Sequence, residues 1–174
     1  YKRQANSKDT RALTSSRIGA VRLKNDFFQD DSLTNSRLDF IKTFIQGSLE
    51  PSIGKIQSRL DKNESMSMIA TSGTAIALGN LISSDLGEPK QKMHGYKFEK
   101  SNLEDLLSKL IKLTPFDLRK IPSLSERRSE IIIPGGLILN TSMEMLNISE
   151  LTISERALRA VSYTHLTLPT NVAV

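Results

Sequence analysis

The chain contains no cysteine and no tryptophan. Without Cys it can hold no disulfide and no thiolate metal site, a usage that fits a reducing cytoplasm. Histidine is nearly missing as well. His94 and His165 are the only two, far apart and without paired carboxylates beside them, which argues against a His-based metal centre and against a Ser-His-Asp triad. No apolar run is long enough to cross a membrane. Residues 1–12 are polar throughout, so no signal peptide is expected at the start. These absences point to a cytoplasmic protein that does not use cysteine or histidine chemistry.

What is present suits one domain or one lobe of a larger protein: 174 residues, 38% of them hydrophobic and 25% charged. The formal charge is +5, but the 24 Lys and Arg are scattered among 19 Asp and Glu. That spread reads as a solvated mixed-charge surface, and it argues against nucleic acid as the partner.

The most informative stretch runs from Ser67 to Leu78, Ser-Met-Ile-Ala-Thr-Ser-Gly-Thr-Ala-Ile-Ala-Leu. An apolar run reads as a buried strand, Thr71-Ser72-Gly73-Thr74 as a tight turn, and Ala75 onward as a helix. Such a turn leaves the N–H groups and positive dipole end of the helix free for phosphate or another anion. Gly73 would let backbone approach a ligand closely. The same Ser/Gly/Thr turn also caps helices that bind nothing. It lacks the Lys of a P-loop and the spacing of a dinucleotide fingerprint.

Both ends look foreign to the rest. Val161 to Asn171 carries no Lys, Arg, Asp or Glu and no helical stripe. It resembles translated sequencing-adapter read-through, although the alternation Tyr163–Leu168 would also suit a strand. Tyr1-Lys2-Arg3-Gln4 resembles the matching read-through at the other end. Residues 1–4 are therefore set aside as a foreign head and 160–174 as a foreign tail, leaving 5–159 as an internal fragment.

Within that interior, a strand is expected over Ala12–Ile18, with Arg22 at its far end beyond Gly19. Asp26, Asp30 and Asp31 read as a solvated loop. From Asn35 the apolar positions Leu38, Ile41, Phe44, Ile45, Leu49, Ile53, Ile56 and Leu60 mark one long amphipathic helix. Pro51 should kink or split it. The strand near 65–70 feeds a helix over 75–83, and Asp85–Tyr96 is a loop. Ser101-Asn102-Leu103-Glu104 reads as a capping box for a helix through Ile111. Thr114-Pro115 opens a short helical turn. The apolar run around Ile131–Leu139 reads as a helix interrupted by Pro134-Gly135-Gly136. Leu151–Ile153 is a short strand, and Ser154 caps a last helix over 155–159. The segments near 12–18, 65–70 and 150–153 should feed one mixed sheet with helices packed on it.

Several motifs now fall into one order: Ile18-Gly19-Ala20-Val21-Arg22-Leu23, Ala70-Thr71-Ser72-Gly73-Thr74-Ala75, His94-Gly95, Glu126-Arg127-Arg128 with Pro134-Gly135-Gly136-Leu137-Ile138-Leu139, and Ser154-Glu155-Arg156-Ala157-Leu158-Arg159. This order resembles the second lobe of the exopolyphosphatase / guanosine-pentaphosphate phosphohydrolase (Ppx/GppA) family, and it covers nearly all of the interior. The family usually has Gly where Ala70 stands, and its closing motif continues Leu-Arg-Glu-Gly, whereas Ala160-Val161 follow Arg159 here.

The resemblance implies an α/β lobe of the actin-like ATPase (ribonuclease H-like) superfold. It implies a parent that hydrolyses the terminal phosphoanhydride of polyphosphate or guanosine pentaphosphate with Mg²⁺. A homodimeric parent and a membrane-free setting belong to the same expectations. The family takes its water-orienting carboxylate and first phosphate loop from the other lobe, so no catalytic residue and no metal ligand are assigned here. Phosphate or substrate contacts are expected from Thr71, Ser72, Gly73, Thr74, Arg22, Arg128 and Arg159. His94 is expected to end a strand or fix a turn. Gly135-Gly136 should let a helix pack closely against the sheet. Two other readings remain open at this point: a sugar- or acid-kinase lobe of the same superfold, and a non-catalytic phosphate- or nucleic-acid-binding module.

Overall fold

The computed structural model describes residues 2–5, 10–29, 33–61 and 65–156. Its centre is an apolar helix, α7 (Ile132–Met145). Helices α1 (Ala20–Phe27), α2 (Asn35–Gln57), α3 (Gly73–Asp85) and α4 (Lys100–Leu110) pack around it. A helix surrounded on all sides must be apolar all round, and residues 132–136 and 141–143 of α7 are buried. On the far side of α3 lies a three-stranded sheet of β3 (Met68–Ala70), β4 (Lys97–Glu99) and β5 (Glu150–Ile153), in the order β3-β5-β4. β3 runs parallel to β5 with Met68 opposite Leu151, and β4 runs antiparallel to it with Phe98 opposite Leu151. Gly79 of α3 seats that helix on the sheet, because a Cβ there would lie 2.2 Å from Ile153 Cδ1. The expected α/β lobe with a mixed sheet is therefore present.

The first strand segment departs from expectation. β1 (Lys2–Ala5) and β2 (Thr10–Thr14) form a separate antiparallel pair, with Lys2 opposite Thr14. β2 leans on α2, where Thr14 Oγ1 donates to Ser52 Oγ at 2.9 Å and Lys55 Nζ donates to the Leu13 carbonyl at 2.9 Å. After Thr14 the chain turns, and Ala20–Phe27 becomes helix α1. Leu23 is buried on its inner face, with Phe27 half-buried four residues on. Arg22 is therefore a helical residue and not the end of a strand. The apolar spacing of this helix runs on into the polar stretch that follows, which hid its period.

The long helix is found where the spacing put it. α2 starts at Asn35 under a Thr34 cap that accepts from the Arg37 N–H, and it buries Ile41, Ile45, Leu49, Ile53 and Ile56. It does not split at Pro51. That residue faces outward, so the carbonyl its missing N–H leaves free lies on the solvent side. α7 is likewise unbroken, because Pro134 is its third residue. In the first turn no N–H has an intrahelical acceptor, and proline costs little there. The following Gly135 N–H already bonds the Ile131 carbonyl at 2.9 Å.

The expected capping box is shifted by two residues. α4 begins at Lys100, and Asn102 Oδ1 accepts from the Glu99 N–H at 3.0 Å, while Glu104 pairs with Lys100 one turn back. Thr114 and Pro115 do open a short helix, α5 (Pro115–Arg119), with Thr114 Oγ1 accepting from the Asp117 N–H. α6 (Glu126–Ser129) leads into α7. Of the last expected helix, 155–159, only Glu155 and Arg156 are described; neither is helical.

Candidate phosphate site

The chain leaves β3 at Ala70, passes Thr71 and Ser72, and enters α3 at Gly73. Ser72 is the N-cap: its Oγ accepts from the Ala75 N–H at 3.0 Å, and its carbonyl accepts from Ile76 at 3.1 Å. Among the described residues nothing accepts from the N–H groups of Gly73 and Thr74. They point out of the start of a 13-residue helix, where the dipole adds partial positive charge. The base of the turn is fixed from the sheet side, since the Ser154 N–H donates to the Ala70 carbonyl at 2.9 Å. Ser72 and Gly73 are exposed, and Thr71 and Thr74 are half-buried.

Arg128 comes to this turn from α6. A Cβ on Gly73 would lie 3.5 Å from Arg128 Nη2. The guanidinium is exposed and, among the described residues, has neither a carboxylate nor a carbonyl partner. Among the described residues no protein anion pairs with this cation or with those N–H groups. This is the arrangement an incoming anion completes. Gly73 has no positive φ, so its lack of a side chain serves the approach and not the turn.

The turn is held from below by small residues. A Cβ on Gly135 would lie 2.4 Å from Thr74 Cγ2 and 3.4 Å from Ala20 Cβ. The starts of α1, α3 and α7 therefore meet at Gly135, and the Thr74 methyl is committed to that packing. Gly136 faces Leu107 of α4 and Leu78 of α3. The glycine pair does serve close packing, but against helices and not against the sheet.

The remaining expected residues have the following surroundings. Arg22 is exposed on α1; its Nε reaches Asp26 Oδ2 at 3.4 Å and its Nη1 donates to the Arg17 carbonyl at 3.1 Å. Both contacts lie within residues 17–26, and no hydrogen bond joins Arg22 to loop 71–74 among the described residues. Asp26 is thus the helical partner of Arg22, and Asp30 and Asp31 lie outside the described residues, as does Arg159. His94 is exposed and fixes a turn: its Nδ1 accepts from the Glu155 N–H at 3.3 Å, and the Gly95 N–H beside it donates to the Ile153 carbonyl at 2.8 Å. Among the described residues no three His, Cys, Asp or Glu gather to hold a metal ion.

One charged cluster escaped the sequence reading. Lys24 Nζ meets Glu130 Oε2 at 2.8 Å, and both groups remain partly open to water. The hydrogen bond and charge of Lys24, with the more distant Arg119, hold the Glu130 carboxyl below its ordinary range. Lys24 lies one turn along α1 from Ala20, so this cluster borders the same helix junction. Its residues are 106 apart in sequence, and no local pattern links them.

A comparison with protein-family models matches residues 4–166 to the Ppx/GppA phosphatase family. A search of curated proteins finds no match. Among solved structures, an exopolyphosphatase from Cytophaga hutchinsonii superposes with a TM-score of 0.79 at 20% identity, over 92% of this chain and 51% of that one. The type II variant of the Aquifex aeolicus Ppx/GppA phosphatase gives 0.75 at 21% identity, over 92% and 51%. An exopolyphosphatase-like protein gives 0.75 at 15%, over 91% and 51%. The fold is that of one lobe of the actin-like ATPase architecture, and the chain spans about half the length of the structures it matches.

Proposed function

Since this chain belongs to the Ppx/GppA phosphatase family, we propose that residues 5–159 form the second lobe of a hydrolase acting on the terminal phosphoanhydride of inorganic polyphosphate or guanosine pentaphosphate. In this reading loop 71–74 takes a phosphate of the substrate. The observation that carries it is the Arg128 guanidinium, without a carboxylate partner among the described residues, 3.5 Å from the Cβ position of Gly73 at the start of α3. The Gly73 and Thr74 N–H groups and Arg128 bind phosphate oxygens and offset their charge. Ser72 keeps its hydroxyl on Ala75, which holds the helix start in place before the ligand arrives.

Phosphoryl transfer to water needs a nucleophile aimed in line, and positioning plus charge stabilisation supply the rate. The divalent cation that the family implies would, when bound, offset the negative charge of the phosphates. Among the described residues no three His, Cys, Asp or Glu gather to hold it. In this reading the water-orienting carboxylate and the first phosphate loop come from the other lobe, so this chain alone binds phosphate chains but does not turn them over.

Calorimetry with sodium tripolyphosphate tests the reading. The chain should bind it, and Arg128→Ala should weaken binding by about 10- to 100-fold, the range of hydrogen bonds to charged groups. Equal affinity in the variant would remove Arg128 and this loop from the site. Titrating guanosine pentaphosphate alongside separates the two substrate classes. Release of orthophosphate from polyphosphate by purified chain, abolished by Gly73→Val, would overturn the proposed inactivity.

A further inference from the structure

We infer that Glu155 is a positioning residue for loop 71–74: it pins the chain leaving β5 to the turn at residues 93–96, and so fixes the strand end from which the loop springs. The inference rests on the reading of that loop as a phosphate site.

The path from Glu155 to the loop is made of hydrogen bonds. The loop springs from Ala70, whose carbonyl accepts from the Ser154 N–H at 2.9 Å. Glu155, the next residue, makes two bonds to one short stretch. Its Oε1 accepts from the Met93 N–H at 3.1 Å, and its own N–H donates to His94 Nδ1 at 3.3 Å. Main-chain bonds flank them on the strand side, since Ile153 accepts from the Gly95 N–H and donates to the Tyr96 carbonyl, both at 2.8 Å. Gly95 turns the chain there with a φ of +83°. The same stretch is seated on α3: Met93 is buried, and its Sδ lies 3.1 Å from where a Cβ on Gly79 would stand. Residues 93–96 thus hold the loop from both sides. They hold its upstream end through Glu155, Ser154 and Ala70, and its downstream end through Gly79 of the helix that the loop opens.

Chemistry separates this role from a simple effect of charge. Met93 is a buried residue, and the acceptor of its N–H is a side chain 62 positions away. A buried donor that loses its acceptor is left with the full penalty of leaving water. Glu155 therefore supplies an oxygen at a fixed place. The bond from its N–H also sets the ring of His94, because an accepting Nδ1 carries no proton. An acidic group that acted on phosphate only through its field would repel the ligand, and neutralising it would tighten binding. A group that positions the loop through its oxygen acts with the opposite sign. Without the oxygen the strand end loosens, the Gly73 and Thr74 N–H groups lose their common aim, and binding weakens.

The test sets Glu155→Ala beside Glu155→Gln in the whole 174-residue protein, with thermal melts to verify folding. Gln keeps the Oε1 acceptor and removes the charge. Two quantities are read: amide hydrogen exchange by NMR, and calorimetric affinity for sodium tripolyphosphate. In Glu155→Ala the Met93 and Ser154 amides should exchange about two- to tenfold faster, the range for one lost hydrogen bond, while the amides of α2 keep their rates. Affinity should fall by a similar factor. Glu155→Gln should match wild type in exchange and bind at least as tightly. Equal tightening in both variants would make Glu155 a source of field alone and would overturn the positioning role. Faster exchange in α2 as well would mean general destabilisation and would overturn it too. Faster exchange at Ser154 with unchanged affinity would leave Glu155 a brace without a part in binding, again against the inference. If Ser154 exchange does not change in Glu155→Ala while wild type binds, the positioning role fails and the loop reading stands. If wild type does not bind tripolyphosphate, the loop reading fails and takes the positioning role with it.

Discussion

Gly135→Ala is the perturbation that probes the junction beneath the phosphate loop. The new Cβ would stand 2.4 Å from Thr74 Cγ2 and 3.4 Å from Ala20 Cβ. The first distance is well inside contact, so something must move. Thr74 sits in the first turn of α3, fixed between the Ser72 cap and the packed helix, and cannot swing clear cheaply. Overpacking of this kind costs ~1–3 kcal/mol. Alanine in place of glycine inside a helix returns ~0.5–1 kcal/mol. The single variant should therefore lose up to about 2.5 kcal/mol in a urea unfolding experiment. Thr74→Ser deletes the obstructing methyl and by itself should cost ~1 kcal/mol, the value of one buried carbon. In the double variant the alanine Cβ occupies the space of the lost methyl. The two changes should then couple by about 1–3 kcal/mol, favouring the pair. Additivity within ~0.5 kcal/mol would refute the contact. A Gly135→Ala chain more stable than wild type would refute the reasoning altogether, because propensity would then be the only effect at that site.

Three further outcomes follow from the geometry. In a chain carrying both lobes, Gly73→Val should raise KM about tenfold with little change in melting temperature. Among the described residues the added Cβ meets only the flexible end of Arg128, while its branches enter the path of the ligand; a rise in KM with a parallel loss of stability would make Gly73 a packing residue. Tyr96 donates from its hydroxyl to Glu88 Oε2 at 2.9 Å, and burial first, then Glu88, push its ionisation above the usual 10.0. The folded state thus holds that proton more tightly, so stability is present below pH ~10 and falls as pH rises through the shifted value; Tyr96→Phe should flatten the alkaline limb of a melting-temperature profile, and an unchanged limb would refute this. Glu130 has the opposite sign. Its lowered ionisation, due first to Lys24, contributes above the ordinary glutamate range and is lost as pH falls through the depressed value, so Lys24→Ala should remove part of the acid limb of the same profile and leave the neutral region alone.

Local periodicity and chemistry made much of this fold legible. Ile41, Ile45, Leu49 and Ile56 repeat at helical spacing, and α2 forms because that spacing buries them on one face. Thr114-Pro115 opens a helix because a hydroxyl cap and a fixed φ act on adjacent residues. The turn Thr71–Thr74 could be read as strand, cap and helix start, since each signal lies within a few positions of the next. Tertiary contacts decided the rest. β4 has Phe98 as its only buried residue and is a strand because it pairs with β5. α1 looked extended and is helical because Leu23 finds the core on one side. Pro134-Gly135-Gly136 looked like a break, yet it lies where the first turn tolerates proline and where Thr74 and Leu107 fill the space that the glycines leave. Most of all, the meeting of Arg128 with Gly73, and of Lys24 with Glu130, joins residues far apart in the chain. A sequence states which charges exist, but the packing of α1, α3, α6 and α7 decides which of them share one surface, because Coulomb interactions depend on distance in space and not along the chain.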